Sequence, residues 1–269
     1  MSERPPLRLL HTSDVHLGQY DYHAGKDEPS NLRREHQHAT FRALIDVGLR
    51  ERVDFMVVAG DFFDNARVHE TTLRFAAEQI ARLGVPVIIA PGNHDHVGQG
   101  SVYDRLDLTA LAPNLVLMRA IDGQTVLLEQ LGVAVWGRSH PEHETSFAPF
   151  AGAPARGAAP WHIAVGHGHY VHPESADHPS FHIHEDHLAE LHHDYIALGH
   201  WDRQLRVSAG ARVAAYSGAP DGAVAMAGHM GRVLIVDLER AGSVRLTSHS
   251  LLDGELVLHD DIPLLRGLL

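Results

Sequence analysis

Residues 57–64, VVAGDFFD, hold the pattern that most constrains this chain: a largely β-branched apolar run stops at Gly60 and delivers the carboxylate of Asp61. Such a run reads as a buried strand whose last side chains emerge at the carboxyl edge of a sheet, the edge where open α/β proteins bind ligands. Gly60 keeps the turn free of side-chain bulk. The arrangement recurs four times. Residues 7–10 run into HTSDVH, where Asp14 and His16 sit two apart, so extended backbone would turn both to one face. PVIIAPGNHD (86–95) ends in Asn93 and His94. Residues 161–165 lead to GHGHY, with His167 and His169, and 195–198 lead to Gly199, His200, Trp201 and Asp202.

The stretches between these runs set the architecture. Apolar Ala39, Ala43, Leu44 and Val47 predict a helix over 32–52, with Arg33, Arg34, Arg42 and Arg50 on its solvated face. A second helix is expected over 70–83, with Leu73, Ala76, Ala77 and Ile80 inward and Gly84 as its stop. Strand, loop, helix, strand is the order of parallel βαβ units, which places loops of one kind on one edge. Residues 19–31, including the single lysine Lys26, read as a polar loop. Further on, 104–112 reads as a short helix and 115–118 as a strand. Residues 126–130 and 133–136 pattern as a hairpin around Leu131 and Gly132. An Ala/Gly/Pro-rich tract at 148–160 is expected as a loop insertion, and the histidine-dense 172–193 as a loop with one short helix through Leu188 and Leu191. Residues 213–216, 232–238 and 243–251 alternate as antiparallel strands of a second sheet would. One main domain over 1–252 is expected, followed by a tail, 253–269, whose apolar IPLLRGLL suits docking.

Composition narrows the chemistry. The chain has no cysteine, so neither disulfides nor thiolate metal sites are open to it, whereas its 24 histidines suit imidazole and carboxylate sites. A formal net charge of -12 argues against a generally basic nucleic-acid surface, though not against a local one. The N-terminal MSERPPLRLL lacks a signal-peptide core and no apolar run approaches a membrane span, so a soluble cytoplasmic protein is expected.

In order, D-x-H, GD-x-x-D, GNHD, GH and GH-x-D, each after an apolar run, resemble the calcineurin-like metallophosphoesterase family over about residues 7–250. The resemblance implies an α/β fold of two sheets packed as a β-sandwich with flanking helices, its active site at the carboxyl ends of strands. It implies two divalent ions, manganese foremost, with magnesium, iron or zinc as alternatives. Asp14, His16, Asp61 and Asp202 would hold one ion, and Asp61, Asn93, His167 and His200 the other. Two ions roughly 3.5–4 Å apart need a shared anion, which Asp61 can supply. Asn93 binds a hard cation without adding charge to a crowded site. The implied reaction is in-line attack on phosphorus by water that the ions acidify. His94 would protonate the leaving oxygen and Asp64 would orient its imidazole. One departure stands out, because the family's last motif is usually GH-x-H and this chain has Asp202 at the final position. A harder oxygen donor there favours manganese or magnesium, or weakens the first ion. A rival assignment takes His167 and His169 as the last motif, which leaves the strand ending at His200 without a role.

Within the family, IALGHWDRQLRV followed by AAYSGAP most resembles the nuclease subunit of SbcCD-type DNA-repair exonucleases. That resemblance implies a manganese-dependent DNA exo- or endonuclease in DNA repair. The implied partners are DNA, as single strands or duplex ends, an SbcC-like ATPase and a second copy of the chain. Arg67, Arg138, Arg203 and Arg206 are the arginines expected to meet phosphates. Asn65 stands where protein phosphatases of the family carry arginine, which disfavours that branch. The alternatives are a small-nucleotide phosphodiesterase or phosphatase and a catalytically weakened metal-binding subunit of a complex, with Asp202 as the sign of decay.

Overall fold

The computed structural model describes residues 4–19, 30–142, 144–172, 181–221 and 231–267. Its elements begin with β1 (Leu7–Thr12), α1 (Ser30–Glu51), β2 (Phe55–Ala59), α2 (Glu70–Leu83), β3 (Val87–Ala90), α3 (Leu108–Leu111) and β4 (Leu115–Leu117). There follow β5 (Gln124–Leu128), β6 (Val133–Gly137), β7 (Trp161–His167), β8 (His169–Tyr170), β9 (His182–Ile183) and α4 (Glu185–Glu190). The last are β10 (Tyr195–Gly199), β11 (Gln204–Val207), β12 (Val213–Ser217), β13 (Arg232–Leu238), β14 (Val244–Ser250), β15 (Leu256–Leu258) and β16 (Leu264–Leu265).

Among the described residues the strands form two seven-stranded sheets, ordered β15-β14-β13-β1-β2-β3-β4 and β16-β11-β12-β10-β7-β6-β5, and a short β8-β9 ladder. In the first sheet β1 to β4 run parallel, and β13 lies antiparallel to β1 with Leu9 opposite Val236. In the second, β6, β7, β10 and β12 run parallel. Two sheets with helices outside them are the architecture expected from the sequence.

The first sheet is apolar on both faces, which is why its strands read as continuous runs. Leu9, Phe55, Val57 and Ile88 meet Val135, Trp161, Ile163, Val165 and Tyr195 of the second sheet. Leu10, Met56, Val58 and Ile89 pack instead under Phe41, Leu44, Leu73 and Ile80 of α1 and α2. Each such large side chain contributes about 1.5–3 kcal/mol on burial, so sheets and helices are locked in one arrangement. α2 begins at His69, whose ring accepts from Thr71 N, and ends at Gly84, whose φ of 73° needs a residue without Cβ. Among the described residues no helix is long and apolar enough to cross a membrane.

Several expectations are corrected. Of the three alternating segments assigned to a second sheet, only β12 lies there, parallel to β10 and antiparallel to β11, while β13 and β14 form the antiparallel pair expected of them but in the other sheet. β13 and β14 complete the first sheet, because β13 is buried along most of its length and fills the slot beside β1. The helix expected over 104–112 is a 3-10 turn at Val102–Asp104 and a separate α3, which Asp107 caps by accepting from the backbone N–H groups of Thr109 and Ala110. The 115–118 strand is β4, the 126–136 hairpin is β5 and β6, and α4 is the short helix near Leu188. β11 had no separate strand signal. Arg33 is not a solvated residue of α1, since it pairs with buried Asp221 at 3.0 Å. The segment expected as a tail supplies β15 and β16, one edge strand to each sheet, and buries Ile262 between them. Residues 20–29, including Lys26, and 173–180 of the histidine-dense stretch lie outside the described residues, as do Leu268 and Leu269.

Candidate metal centre

Five strands from two sheets end at one place. β1, β2 and β3 bring Asp14, His16, Asp61, Asp64, Asn93 and His94 from the first sheet, while β7 and β10 bring His167, His200 and Asp202 from the second. The seam is tight. A Cβ on Gly199 would lie 1.8 Å from the carbonyl oxygen of Ala59, so a glycine is required where β10 meets β2. On Gly60, whose φ is 84°, a Cβ would fall 2.3 Å from His167 Nδ1.

The loops after β1 and β2 continue side by side beyond their strands. Asp14 N donates to Gly60 O at 3.1 Å, His16 N to Asp61 O at 3.0 Å and Leu17 N to Phe62 O at 3.0 Å. Asp14, His16 and Asp61 have φ of 52°, 47° and 52°, and His200 has 109°. These make four of the six described non-glycine residues with positive φ, so backbone strain gathers where the strand ends converge. Asp14 and His16 therefore meet through left-handed turns, not through the extended backbone expected of them. Buried Gln37 of α1 clamps this loop, accepting from Gly18 N and donating to His16 O, each at 3.1 Å.

The side chains form two groups. Asp14, Asp61 and His167 are buried and place ligand atoms within 4.8 Å of one another, as do His16, Asp64 and His94 on the outer side. Asp61 lies between them, with Oδ2 at 3.2 Å from His167 Nε2 and 3.8 Å from His16 Nε2. Asn93 Oδ1 is 3.1 Å from the same His167 nitrogen. The His200 ring stands 5.2 Å from that of His167, and its backbone N–H donates to Asp14 Oδ2 at 3.0 Å. Asp202 joins the same electrostatic field, because burial and then Asp14 push its carboxyl up.

Asp64 acts differently from expectation. Its carboxylate lies 3.3 Å from His16 Nδ1, and it is its backbone oxygen that lies 2.9 Å from His94 Nδ1. The Asp64 atom beside the His94 ring is thus its backbone oxygen, and its carboxylate lies beside His16. His169 accepts from Trp201 Nε1 at 3.0 Å. Arg138 and Arg206, expected to meet phosphates, donate to backbone oxygens of Ile121 and Ala148 and of Ile262, whereas Arg67 and Arg203 are exposed.

Charge tests whether metal ions fit. Burial pushes the Asp14 carboxyl up, His167 draws it back and Asp61 adds to the rise. Burial also opposes the Asp61 anion, but His167 and His16 outweigh it and hold this carboxyl well below its usual range. At His16 burial is overcome by Asp64, Asp61 and Asp14, and at His167 by Asp61 and Asp14, so both imidazoles rise to about 9. Protonated histidines offset part of the charge of the buried carboxylates, and divalent ions held by the same groups would offset it more fully. Carboxylate, amide and imidazole donors without thiolate suit manganese, iron, zinc or magnesium. The residues present fit a dinuclear site.

One residue at this place has no role in the sequence reading. Asp95, adjacent to His94, is buried and accepts hydrogen bonds from Asp61 N, Phe62 N, Phe63 N, Gly92 N and the Tyr103 hydroxyl. Its position at the end of PGNHD was the available signal, and nothing local shows that three of its partners, the amides of 61–63, lie over 30 residues upstream.

Comparison with known proteins agrees with the geometry. The family described as Calcineurin-like phosphoesterase matches residues 7–203. The Bacillus subtilis "Uncharacterized metallophosphoesterase YhaO" is 30% identical over 210 residues, which is 76% of this chain and 50% of that protein. The Aeropyrum pernix "DNA double-strand break repair protein Mre11" is 34% identical over 91 residues, 33% of this chain and 21% of that protein. The chain thus spans half or less of these relatives' length. Among solved structures, a dimetal phosphatase from Danio rerio superposes with a TM-score of 0.56 at 12% identity, covering 94% of this chain and 99% of that one. TT1561 of Thermus thermophilus also gives 0.56 at 12%, covering 92% and 100%. At such identities the superpositions show the fold alone.

Proposed function

Because the chain belongs to the calcineurin-like phosphoesterase family, we propose that it hydrolyses phosphodiesters with two divalent ions, manganese foremost, and that its substrate is DNA. The observation that carries this reading is the Asp61 carboxylate, buried between His16 and His167 where strands of both sheets end. Asp14, His16, Asp61 and Asp202 would hold one ion, and Asp61, Asn93, His167 and His200 the other. Bound there, the ions would polarise a phosphoryl oxygen and lower the pKa of water.

The chain's own groups supply the rest. Asp64, beside His16 Nδ1, orients that imidazole with Nε2 toward Asp61. His94 is exposed, and its Nδ1–H donates to the Asp64 carbonyl, so that in its imidazolium form the second proton, on Nε2, would pass to a departing oxygen and leave the ring neutral. Asp61 Oδ1 accepts from His94 N at 2.9 Å, so the acid and the shared ligand are held in register. DNA is favoured as substrate by the Mre11 relatives, whose names record double-strand break repair. Exposed Arg67 and Arg203 are available to phosphates despite the net charge of -12. An ATPase partner, a second copy of the chain and a cytoplasmic setting belong to the same reading.

The test is manganese-dependent cleavage of end-labelled single- and double-stranded DNA, run beside bis(p-nitrophenyl) phosphate with His94→Ala as control. Shortened DNA with the parent and a loss of about 10²–10⁴-fold in His94→Ala support the proposal. Turnover of the small ester alone moves the assignment to a small-nucleotide phosphodiesterase. Two bound ions with no turnover of either substrate make the chain a non-catalytic subunit, with Asp202 the first place to look.

A further inference from the structure

We propose that Asp95 is a positioning residue whose carboxylate presets Asp61 to be shared by two metal ions, an inference that rests on the dinuclear reading above. Gly60 and Asp61 both have positive φ, at 84° and 52°, and this backbone turns the N–H groups of residues 61, 62 and 63 toward one point. Successive N–H groups converging in this way form a nest that binds an anion. Here the anion is internal. Asp95 Oδ1 accepts from Asp61 N at 3.1 Å and Gly92 N at 2.7 Å, while Oδ2 accepts from Phe62 N at 2.9 Å and Phe63 N at 3.3 Å. Tyr103, itself buried, donates its hydroxyl to Oδ2 at 2.6 Å.

Two consequences follow from that geometry. The loops carrying Asp61 and Asn93 are fastened to each other through one carboxylate, so the shared ligand and its neighbour move together. The amides of 61–63 are also spent on Asp95, which leaves none to bind substrate phosphate. A second buried carboxylate close to Asp61 is a costly way to hold a turn, because like charges in a buried place repel. It is matched to a strained bridging residue, which persists only where its surroundings over-determine it. Gly92 belongs to the same device: a Cβ there would lie 2.3 Å from Asp61 Oδ1.

The experiment uses the full chain and two readouts besides activity: manganese binding by calorimetry and the melting temperature of the metal-free protein. Four proteins are compared, the parent, Asp95→Asn, Tyr103→Phe and Asn114→Ala. Asn114 donates to Ile80 O and Val85 O, both at 2.8 Å, and serves as a destabilised control because it holds the amino-terminal end of β3, away from the site. Asp95→Asn replaces one accepting oxygen with an NH₂ group that faces N–H donors. It is expected to weaken manganese binding by about 10–100-fold, the range for residues that support metal ligands. Tyr103→Phe should weaken it less, and Asn114→Ala should lower the melting temperature alone. Unchanged manganese affinity and two bound ions in Asp95→Asn, whatever its melting temperature, overturn the inference. If Asp95→Asn does not fold, Tyr103→Phe decides, and affinity equal to the parent's is the negative result. A parent that binds no pair of ions refutes the dinuclear reading itself, and is told apart because it fails before any variant is made.

Discussion

Gly199→Ala tests how the two sheets cooperate. The added Cβ would sit 1.8 Å from Ala59 O and 2.7 Å from Ser13 Cβ, and side-chain carbons essentially never approach within 3.0 Å. The end of β10 must therefore retreat from β2 by about 1.2 Å, a distance that no rotamer change can absorb, because the obstacle is backbone. The Ala59 oxygen faces His167 Nδ1 at 2.9 Å, so that contact is disturbed as well. Overpacking of this kind costs about 1–3 kcal/mol and a lost hydrogen bond about 1 kcal/mol. Together, at about 2–4 kcal/mol, they suggest a melting temperature lower by roughly 4–16 °C in a chain of this size, at about 2–4 °C per kcal/mol. A displacement of about 1 Å between groups of a catalytic site costs on the order of 10²-fold in turnover, so manganese affinity and phosphodiester turnover should fall too. Differential scanning calorimetry and calorimetric manganese titration check both parts. A melting temperature within about 2 °C of the parent, with unchanged metal binding, would refute the claim that this seam sets the site's geometry.

Asp202→Ala should reduce bound manganese from two ions per chain toward one, measured by elemental analysis after gel filtration; two ions retained would remove Asp202 from the ligand set. Acid should weaken the fold even without metal. Burial lowers His11 to about 3 and His193 to about 4, so each stays neutral in the native state where the unfolded chain, near 6.5, takes up a proton. Their stabilising contribution is full above pH 6.5 and is lost as pH falls, by up to about 2 kcal/mol per histidine between pH 6.5 and 5. Urea midpoints across that window should drop, and His11→Phe, which removes the ring that meets Tyr195 OH at 2.8 Å, should flatten the slope by about one proton. An identical slope in the variant would exclude His11 as a source.

The convergence of the site was legible because each of its five motifs follows an apolar run, and in a sheet apolar on both faces such runs end on one edge. VVAGD, IIAPGNHD and IALGH all behave in this way. Pairings across long sequence distances were not legible. Whether β13 joins β1 or the other sheet depends on which slot remains open, and its charged Arg232 and Asp237, one near each end, resemble those of an exposed strand although five of its seven residues are buried. The Arg33 pair with Asp221, 188 residues away, has no local signature either. Asp64 shows the same limit on a smaller scale. Its spacing from Asp61 placed it at the site, but only the left-handed turn at His16 determines that its carboxylate meets His16 while its carbonyl meets His94.

The account stands on two ions sharing Asp61. The most direct measurement is manganese titration of the metal-free full chain, followed by calorimetry and electron paramagnetic resonance. The account predicts two ions per chain with the spectrum of a spin-coupled pair, and loss of that coupling in Asp61→Asn. A single uncoupled ion, or no binding above the level of Asp61→Asn, would contradict it.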